Sequence, residues 1–129
     1  MQKATKTALD RLWQKAVRVG KDSCEYCGKK GALNGHHIFT RSRMNTRWDI
    51  ENGILLCVGC HTFSSRFSAH KTPYKFFKWL EKERGAAWVN TLQKKSDKVA
   101  KGTNKEKIMQ KLQDMIYNQG APQKPKGTD

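Results

Sequence analysis

Four cysteines in two C-x-x-C pairs constrain this chain more than any other feature. Cys24 and Cys27 form the first pair, Cys57 and Cys60 form the second, and 29 residues separate the pairs. In a reducing compartment, cysteines at this spacing bind a metal more often than they form disulfides. The pattern therefore predicts two zinc knuckles that share one tetrathiolate zinc ion. Disulfides and mixed ligation by cysteine and histidine are the alternatives.

The length and the apolar pattern limit the class of protein. A chain of 129 residues buries only a modest core, and a bound metal is one way for such a domain to gain stability. The longest apolar run, over 54–58, is too short to span a membrane, and the first ten residues lack the apolar segment of a signal peptide. We therefore expect a single cytoplasmic domain over 1–119 with no membrane association, followed by a disordered tail over 120–129.

The charge indicates a polyanionic partner. Lysine and arginine number 26 against 11 acidic residues, so the formal net charge is +15. A balance this basic in a small protein usually reflects binding to a polyanion, and nucleic acid is the commonest one. The alternative is that the lysines simply form a solvated surface.

Apolar periodicity predicts a short β core over 24–70 with helical flanks over 4–19 and 73–118. Pro73 suits the first position of a helix, and Thr103-x-x-Glu106 predicts a capping box. The predicted elements are a helix over 4–19, strands over 36–39 and 54–56, a helix beginning just after Cys60, and three helices over 73–84, 86–95 and 103–118.

The histidines exceed what a tetrathiolate site needs. His36 and His37 lie in the first predicted strand, and His61 directly follows the second cysteine pair. Imidazole binds metals and accepts protons near neutral pH, so these positions indicate catalysis. Asn52 precedes a glycine before the second strand, and it could be no more than a turn former. For His70 we expect an ordinary surface role, with contact to phosphate or metal as the alternative.

The order of these residues resembles the HNH endonuclease family, specifically its small phage- and prophage-type members with a four-cysteine zinc. The resemblance runs from Cys24 to His61 and includes the Asn52-x8-His61 spacing and the Cys57-x-x-Cys60-His61 cluster. It implies an α+β fold in which a small ββα-metal core with zinc knuckles is flanked by an N-terminal helix and C-terminal helices.

The resemblance also implies roles for the site residues. His36 and His61 would bind a catalytic divalent ion, His37 would be the general base, and Asn52 would brace the hairpin loop and help to orient His37. Two imidazoles bind hard Mg²⁺ weakly, so we expect Mg²⁺ to work and Mn²⁺, Ni²⁺ or Co²⁺ to be possible better choices.

The expected activity is hydrolysis of phosphodiester bonds in DNA. Intrinsic sequence specificity should be low, because the chain contains no separate sequence-reading segment. We expect a monomer. By family resemblance, it would have a phage-type role in DNA packaging, recombination or degradation, beside phage packaging or recombination proteins. The predicted phosphate contacts are Arg41, Arg43, Arg47 and Lys71, with solvated charge as the alternative. Two other functions remain open, a zinc-dependent DNA-binding module without cleavage and a structure-selective recombination nuclease.

Overall fold

The computed structural model describes residues 3–118, and the tail predicted over 120–129 lies outside them. In chain order the elements are α1 (Lys6–Arg18), β1 (Leu33–His37), a 3₁₀ turn (Ile50–Asn52), β2 (Gly53–Cys57), a π-helical turn (Gly59–Phe63), α2 (Pro73–Arg84), α3 (Ala86–Asp97) and α4 (Lys105–Tyr117). The predicted α+β fold, a β-hairpin core with helices on both sides in sequence, is confirmed. No helix within the described residues is long and apolar enough to cross a membrane.

The two strands form an antiparallel hairpin that differs in detail from the prediction. β1 begins at Leu33, three residues earlier than predicted, because Leu33 to Gly35 pair with the apolar end of β2. This pairing outweighs the weak strand propensity of asparagine and glycine. Gly53 has extended backbone with φ −113° and belongs to β2, so Asn52 and Gly53 do not form a two-residue hairpin turn, and the 3₁₀ turn over Ile50–Asn52 leads into the strand. A long connection over 38–52 joins the strands instead.

β2 is buried on both faces, because its alternate side chains enter two different cores. Ile54 and Leu56 pack with apolar residues of α2 and α3. Leu55 points the other way and packs with apolar residues of α1 and α4. An isolated two-stranded hairpin is marginal in water, so the helices on its two faces supply most of its stability.

Of three predicted helix features, one agrees with the structure and two differ from it for local reasons. Pro73 opens α2 as predicted. The predicted Thr103-x-x-Glu106 capping box is wrong, because Asn104 rather than Thr103 caps the helix and accepts the Lys107 N–H at 3.1 Å. The helix predicted after Cys60 is only one π-helical turn, closed by a 2.9 Å hydrogen bond from the Ser64 N–H to the Gly59 carbonyl.

α1 packs closely across the hairpin at two glycines. A Cβ atom on Gly53 would lie 2.6 Å from Val17 Cγ2 and 2.9 Å from Trp13 Cζ2. A Cβ atom on Gly35 would lie 2.9 Å from Gln14 Oε1. Both strands therefore need glycine where α1 crosses them, and this close approach brings Trp13 to the end of β1.

Gly53→Ala should lower the free energy of unfolding by about 1–3 kcal/mol, because the added methyl group overpacks the contact with α1. Urea unfolding of the zinc-loaded protein measures this change. Gly59→Ala is the control, since nothing lies within 4 Å of the methyl group that it adds. Its effect should stay within about 0.5 kcal/mol. Equal effects of the two substitutions would contradict the close packing of α1.

Candidate functional site

The four cysteine sulfurs form one compact cluster. The Sγ atoms of Cys24, Cys27, Cys57 and Cys60 all lie within 4.8 Å of one another, and those of Cys27 and Cys57 are 3.7 Å apart. Tetrahedral zinc with Zn–S bonds of about 2.3 Å places its sulfurs about 3.8 Å apart. All four cysteines are free thiols. The donor set therefore fits zinc, and the disulfide alternative is not what the structure contains.

The pKa values of two of these thiols are shifted in opposite directions. Burial raises the pKa of Cys24, but backbone hydrogen bonds at Cys27, Cys57 and Tyr26 outweigh it and lower the pKa to about 7. Burial and the neighbouring thiols raise the pKa of Cys60. Four thiolates this close would repel one another, and a divalent ion bound by them would keep them ionised together.

Cys24→Ser or Cys60→Ser should remove the bound zinc and unfold the hairpin, because zinc binding in a small domain contributes directly to folding. Zinc content per chain and thermal unfolding followed by circular dichroism test this. Wild-type protein stripped of metal should refold when zinc returns, whereas the variants should not. A variant that keeps one zinc and a cooperative transition would show that the four thiols are not the ligand set.

A second cluster consists of three histidines. The ligand nitrogens of His36, His61 and His70 lie within 4.8 Å of one another, and Nε2 of His61 is 3.1 Å from Nε2 of His70. Metal–nitrogen bonds of about 2.0–2.1 Å place two ligand nitrogens about 3.0–3.4 Å apart around one ion. The cluster therefore fits a single divalent ion held by three imidazoles.

His70 is the member that sequence reasoning did not place in the site. The loop after the π-helical turn folds back, so that the His70 N–H donates to the His61 carbonyl at 3.1 Å. Ser68 and Thr72 close this loop, because the Thr72 hydroxyl donates to the Ser68 carbonyl and accepts the Ser68 N–H, each at 2.9 Å. His70 follows His61 by nine residues with no regular spacing, so only the folded loop reveals the pairing.

Burial keeps two of these imidazoles neutral. Burial, together with smaller contributions from the charges of His61, His70 and His37, lowers the pKa of His36 to about 3. Burial also lowers the pKa of His61, with a smaller contribution from His70. Neutral imidazole is the form that binds a metal.

His37 points to the opposite face of β1 from His36 and contacts α1. Its ring stacks on the indole of Trp13 with centroids 3.9 Å apart and an interplanar angle of 8°. Its Nε2 lies 3.0 Å from the carbonyl oxygen of Arg47. A carbonyl only accepts, so Nε2 carries the proton and Nδ1 keeps its lone pair.

The electrostatic surroundings of His37 favour the neutral ring. Burial lowers its pKa, and the charges of Arg41 and Arg47 lower it further. The Arg47 carbonyl and the Asp10 carboxylate oppose this effect without cancelling it. The ring is therefore able to accept a proton near neutral pH.

The histidine cluster and His37 share one cleft of about 620 Å³. Its lining includes all four histidines together with Gln14, Arg41, Pro73, Phe76 and Phe77. The cleft therefore contains three side chains that could hold a metal ion and one candidate base, contributed by β1, the π-helical turn and the loop before α2.

Asn52 is fully buried and braces the long connection between the strands. Its amide nitrogen donates to the carbonyls of Phe39 at 3.0 Å and Thr46 at 3.1 Å. Its oxygen accepts the Phe39 N–H at 2.8 Å. With these groups engaged, Asn52 holds the loop and is not a metal ligand.

The four predicted phosphate contacts differ in their surroundings. Arg41 is exposed and lines the cleft, and exposed Lys71 directly follows His70. Arg43 lies 3.7 Å from the carboxylate of Asp97 on α3. The guanidinium of Arg47 is held by Asp10 and is only 13% exposed, so its contacts favour a structural role. Arg41 and Lys71 therefore remain the two best placed candidates.

Residues 24–66 match the HNH endonuclease family model. This segment, a third of the chain, resembles an HNH endonuclease domain. The predicted enzyme class is thereby confirmed, since this is a family of nucleases that hydrolyse nucleic-acid phosphodiester bonds with a divalent metal. The matched segment includes β1, β2 and both cysteine pairs, whereas His70 and all four α-helices lie outside it. No curated protein and no solved structure matches the chain significantly.

His70→Ala should weaken binding of a divalent ion to the histidine cluster by at least about tenfold, because it removes one of three ligands. Titration of the zinc-loaded protein with Co²⁺ measures this, since thiolate charge-transfer bands would reveal any Co²⁺ that enters the cysteine site instead. His37→Ala is the matched control and should bind Co²⁺ like the wild type. If His70→Ala binds Co²⁺ with wild-type affinity while His36→Ala loses Co²⁺ binding, His70 is excluded as a ligand.

Proposed function

We propose that this protein is a metal-dependent DNA endonuclease in which His37 activates water and three histidines hold the divalent ion. The observation that carries the proposal is the shared cleft, in which His37 and the cluster of His36, His61 and His70 face the same space. Because His36 and His37 are neighbours on a strand, they leave opposite faces of it and can serve separate functions. Asn52 supports this arrangement by bracing the loop that contacts His37.

Phosphodiester hydrolysis needs an activated water in line with the leaving oxygen, and charge stabilisation at the phosphate. His37 supplies the first requirement, since Nδ1 takes a proton from the water while the Nε2–H group donates to the Arg47 carbonyl. His36, His61 and His70 would hold a divalent ion, which would supply Lewis-acid stabilisation of the negative charge that develops. By resemblance to the family, the products carry 5′-phosphate and 3′-hydroxyl ends.

The ligand chemistry favours borderline metals. Three imidazoles without a carboxylate suit Ni²⁺, Co²⁺ or Mn²⁺ better than hard, strongly hydrated Mg²⁺. We therefore propose that Mg²⁺ supports cleavage only at high concentration and that Mn²⁺, Ni²⁺ or Co²⁺ supports it at lower concentration. We expect the structural zinc to remain in the cysteine cluster, because thiolates are softer ligands than imidazoles and all four would bind the one ion.

The charge distribution supports DNA as the substrate. Arg41 and Lys71 are exposed beside the histidines, in a chain of net charge +15. Contacts from such side chains to phosphate position a duplex without reading its sequence, which supports low specificity. We further propose that residues 1–119 act as one monomeric domain, and that phage packaging or recombination proteins supply the targeting, as the resemblance to small phage-type members implies.

His37→Ala should lower the rate of plasmid nicking by about 10²- to 10⁴-fold, because it removes the general base. Relaxation of supercoiled plasmid with EDTA, Mg²⁺, Mn²⁺ or Ni²⁺ measures this, and a gel-shift assay should show unchanged DNA binding. If zinc-loaded wild type binds DNA but never cuts it, the binding-module function replaces the nuclease. If it cuts flapped or four-way DNA much faster than linear duplex, the low-specificity proposal fails and a recombination nuclease is favoured.

A further inference from the structure

We infer that Asp10 is a positioning residue for His37, acting through Arg47, and that α1 is therefore part of the catalytic unit. This inference rests on the proposed role of His37 as general base. α1 lies outside the segment that matches the nuclease family, so the family match assigns no function to it.

Asp10 holds the loop between the strands with three hydrogen bonds. Its Oδ1 accepts from Arg47 Nε at 3.0 Å and from Trp48 Nε1 at 2.8 Å, and its Oδ2 accepts from Arg47 Nη2 at 2.8 Å. Two parallel bonds between a guanidinium and a carboxylate fix the geometry of both groups. Trp48 is buried, so its indole N–H needs the partner that Asp10 supplies.

The residue that Asp10 holds is the residue that orients His37. The carbonyl of Arg47 lies 3.0 Å from His37 Nε2, while the guanidinium of the same residue is clamped by Asp10. Any shift of Arg47 moves the acceptor that keeps the proton on Nε2. The ion pair between Asp10 and Arg47, here called the clamp, therefore helps to determine which ring nitrogen of His37 is available to the substrate water.

A second contact from α1 fixes the plane of the same ring. Trp13 follows Asp10 by three residues, so the two side chains lie on one face of the helix. Trp13 stacks on His37 and donates from Nε1 to the Asp49 carbonyl at 2.9 Å. One turn of α1 thus sets the plane of the imidazole directly and the position of its hydrogen-bond acceptor indirectly.

Asp10→Asn tests this role, because it keeps the shape of the side chain and removes the carboxylate that accepts two parallel hydrogen bonds from Arg47. We expect kcat for plasmid nicking to fall about 10- to 100-fold, as misplacement of a catalytic group by about 1 Å can cause. KM for DNA should match that of Asp22→Asn. Asp22→Asn is the matched control, because it makes the same charge change in an exposed ion pair with Lys30 and should keep wild-type kcat.

The tautomer of His37 provides a readout that a merely structural role would not change. Two-bond ¹⁵N–¹H couplings should show the Nε2–H form in wild type and in Asp22→Asn, and a mixture of both forms in Asp10→Asn. Arg47→Lys keeps the charge but cannot make two parallel hydrogen bonds to Asp10, so it should give the same mixture of His37 tautomers. If Asp10→Asn fails to fold, Arg47→Lys shows whether the contact between Asp10 and Arg47 positions His37. The double variant should be no slower than the slower single variant, because both act on one contact.

The outcomes separate this inference from the proposed function. If His37→Ala abolishes cleavage while Asp10→Asn and Arg47→Lys keep the wild-type tautomer and kcat, the clamp is not a positioning device and the nuclease proposal stands. Additive losses in the double variant would also overturn the inference. If His37→Ala cleaves normally, the proposed function itself fails.

Discussion

Antiparallel pairing of β1 with β2 is the interaction on which the rest of the structure depends. It places His36 opposite Ile54 and His37 opposite Gly53, so that the two histidines leave the hairpin on opposite faces at its end. It also delivers Cys57 to the thiol cluster at the other end of the same ladder. A hairpin of five-residue strands is not stable alone, and the two helical cores and the thiol cluster are what keep this geometry in place.

The two cores have different roles in the site. The core on the side of α2 and α3 includes Phe76, whose ring meets His36 edge-on with centroids 5.4 Å apart, so this side supports the metal ligands. The core on the side of α1 and α4 includes Trp13, which stacks on His37, so this side supports the base. The cleft lies where the two sides meet at the strand ends. The candidate metal ligands and the candidate base are thus supported by separate apolar cores.

The segment that matches the nuclease family is a third of the chain, and it lacks several residues that line the cleft or contact His37 and its loop. His70 follows it in sequence, and Asp10, Trp13 and Gln14 precede it. Gln14 donates to the Gly35 carbonyl and accepts the Gly35 N–H, each at 2.9 Å, which ties α1 to β1 beside the histidines. The helices therefore hold and complete the site in addition to covering the hairpin.

Local sequence determined the features that depend on short spacing. The C-x-x-C pairs, the adjacent histidines, His61 after the second pair, the amphipathic α1 and the proline at the start of α2 were all predictable, because each depends on residues within one or two turns. Tertiary structure alone decided that His70 joins the histidine cluster, that Asp10 holds Arg47 from 37 residues away, and that β1 begins at Leu33. These features depend on contacts that form only after the loops close, and no local propensity or periodicity encodes which distant side chains will meet.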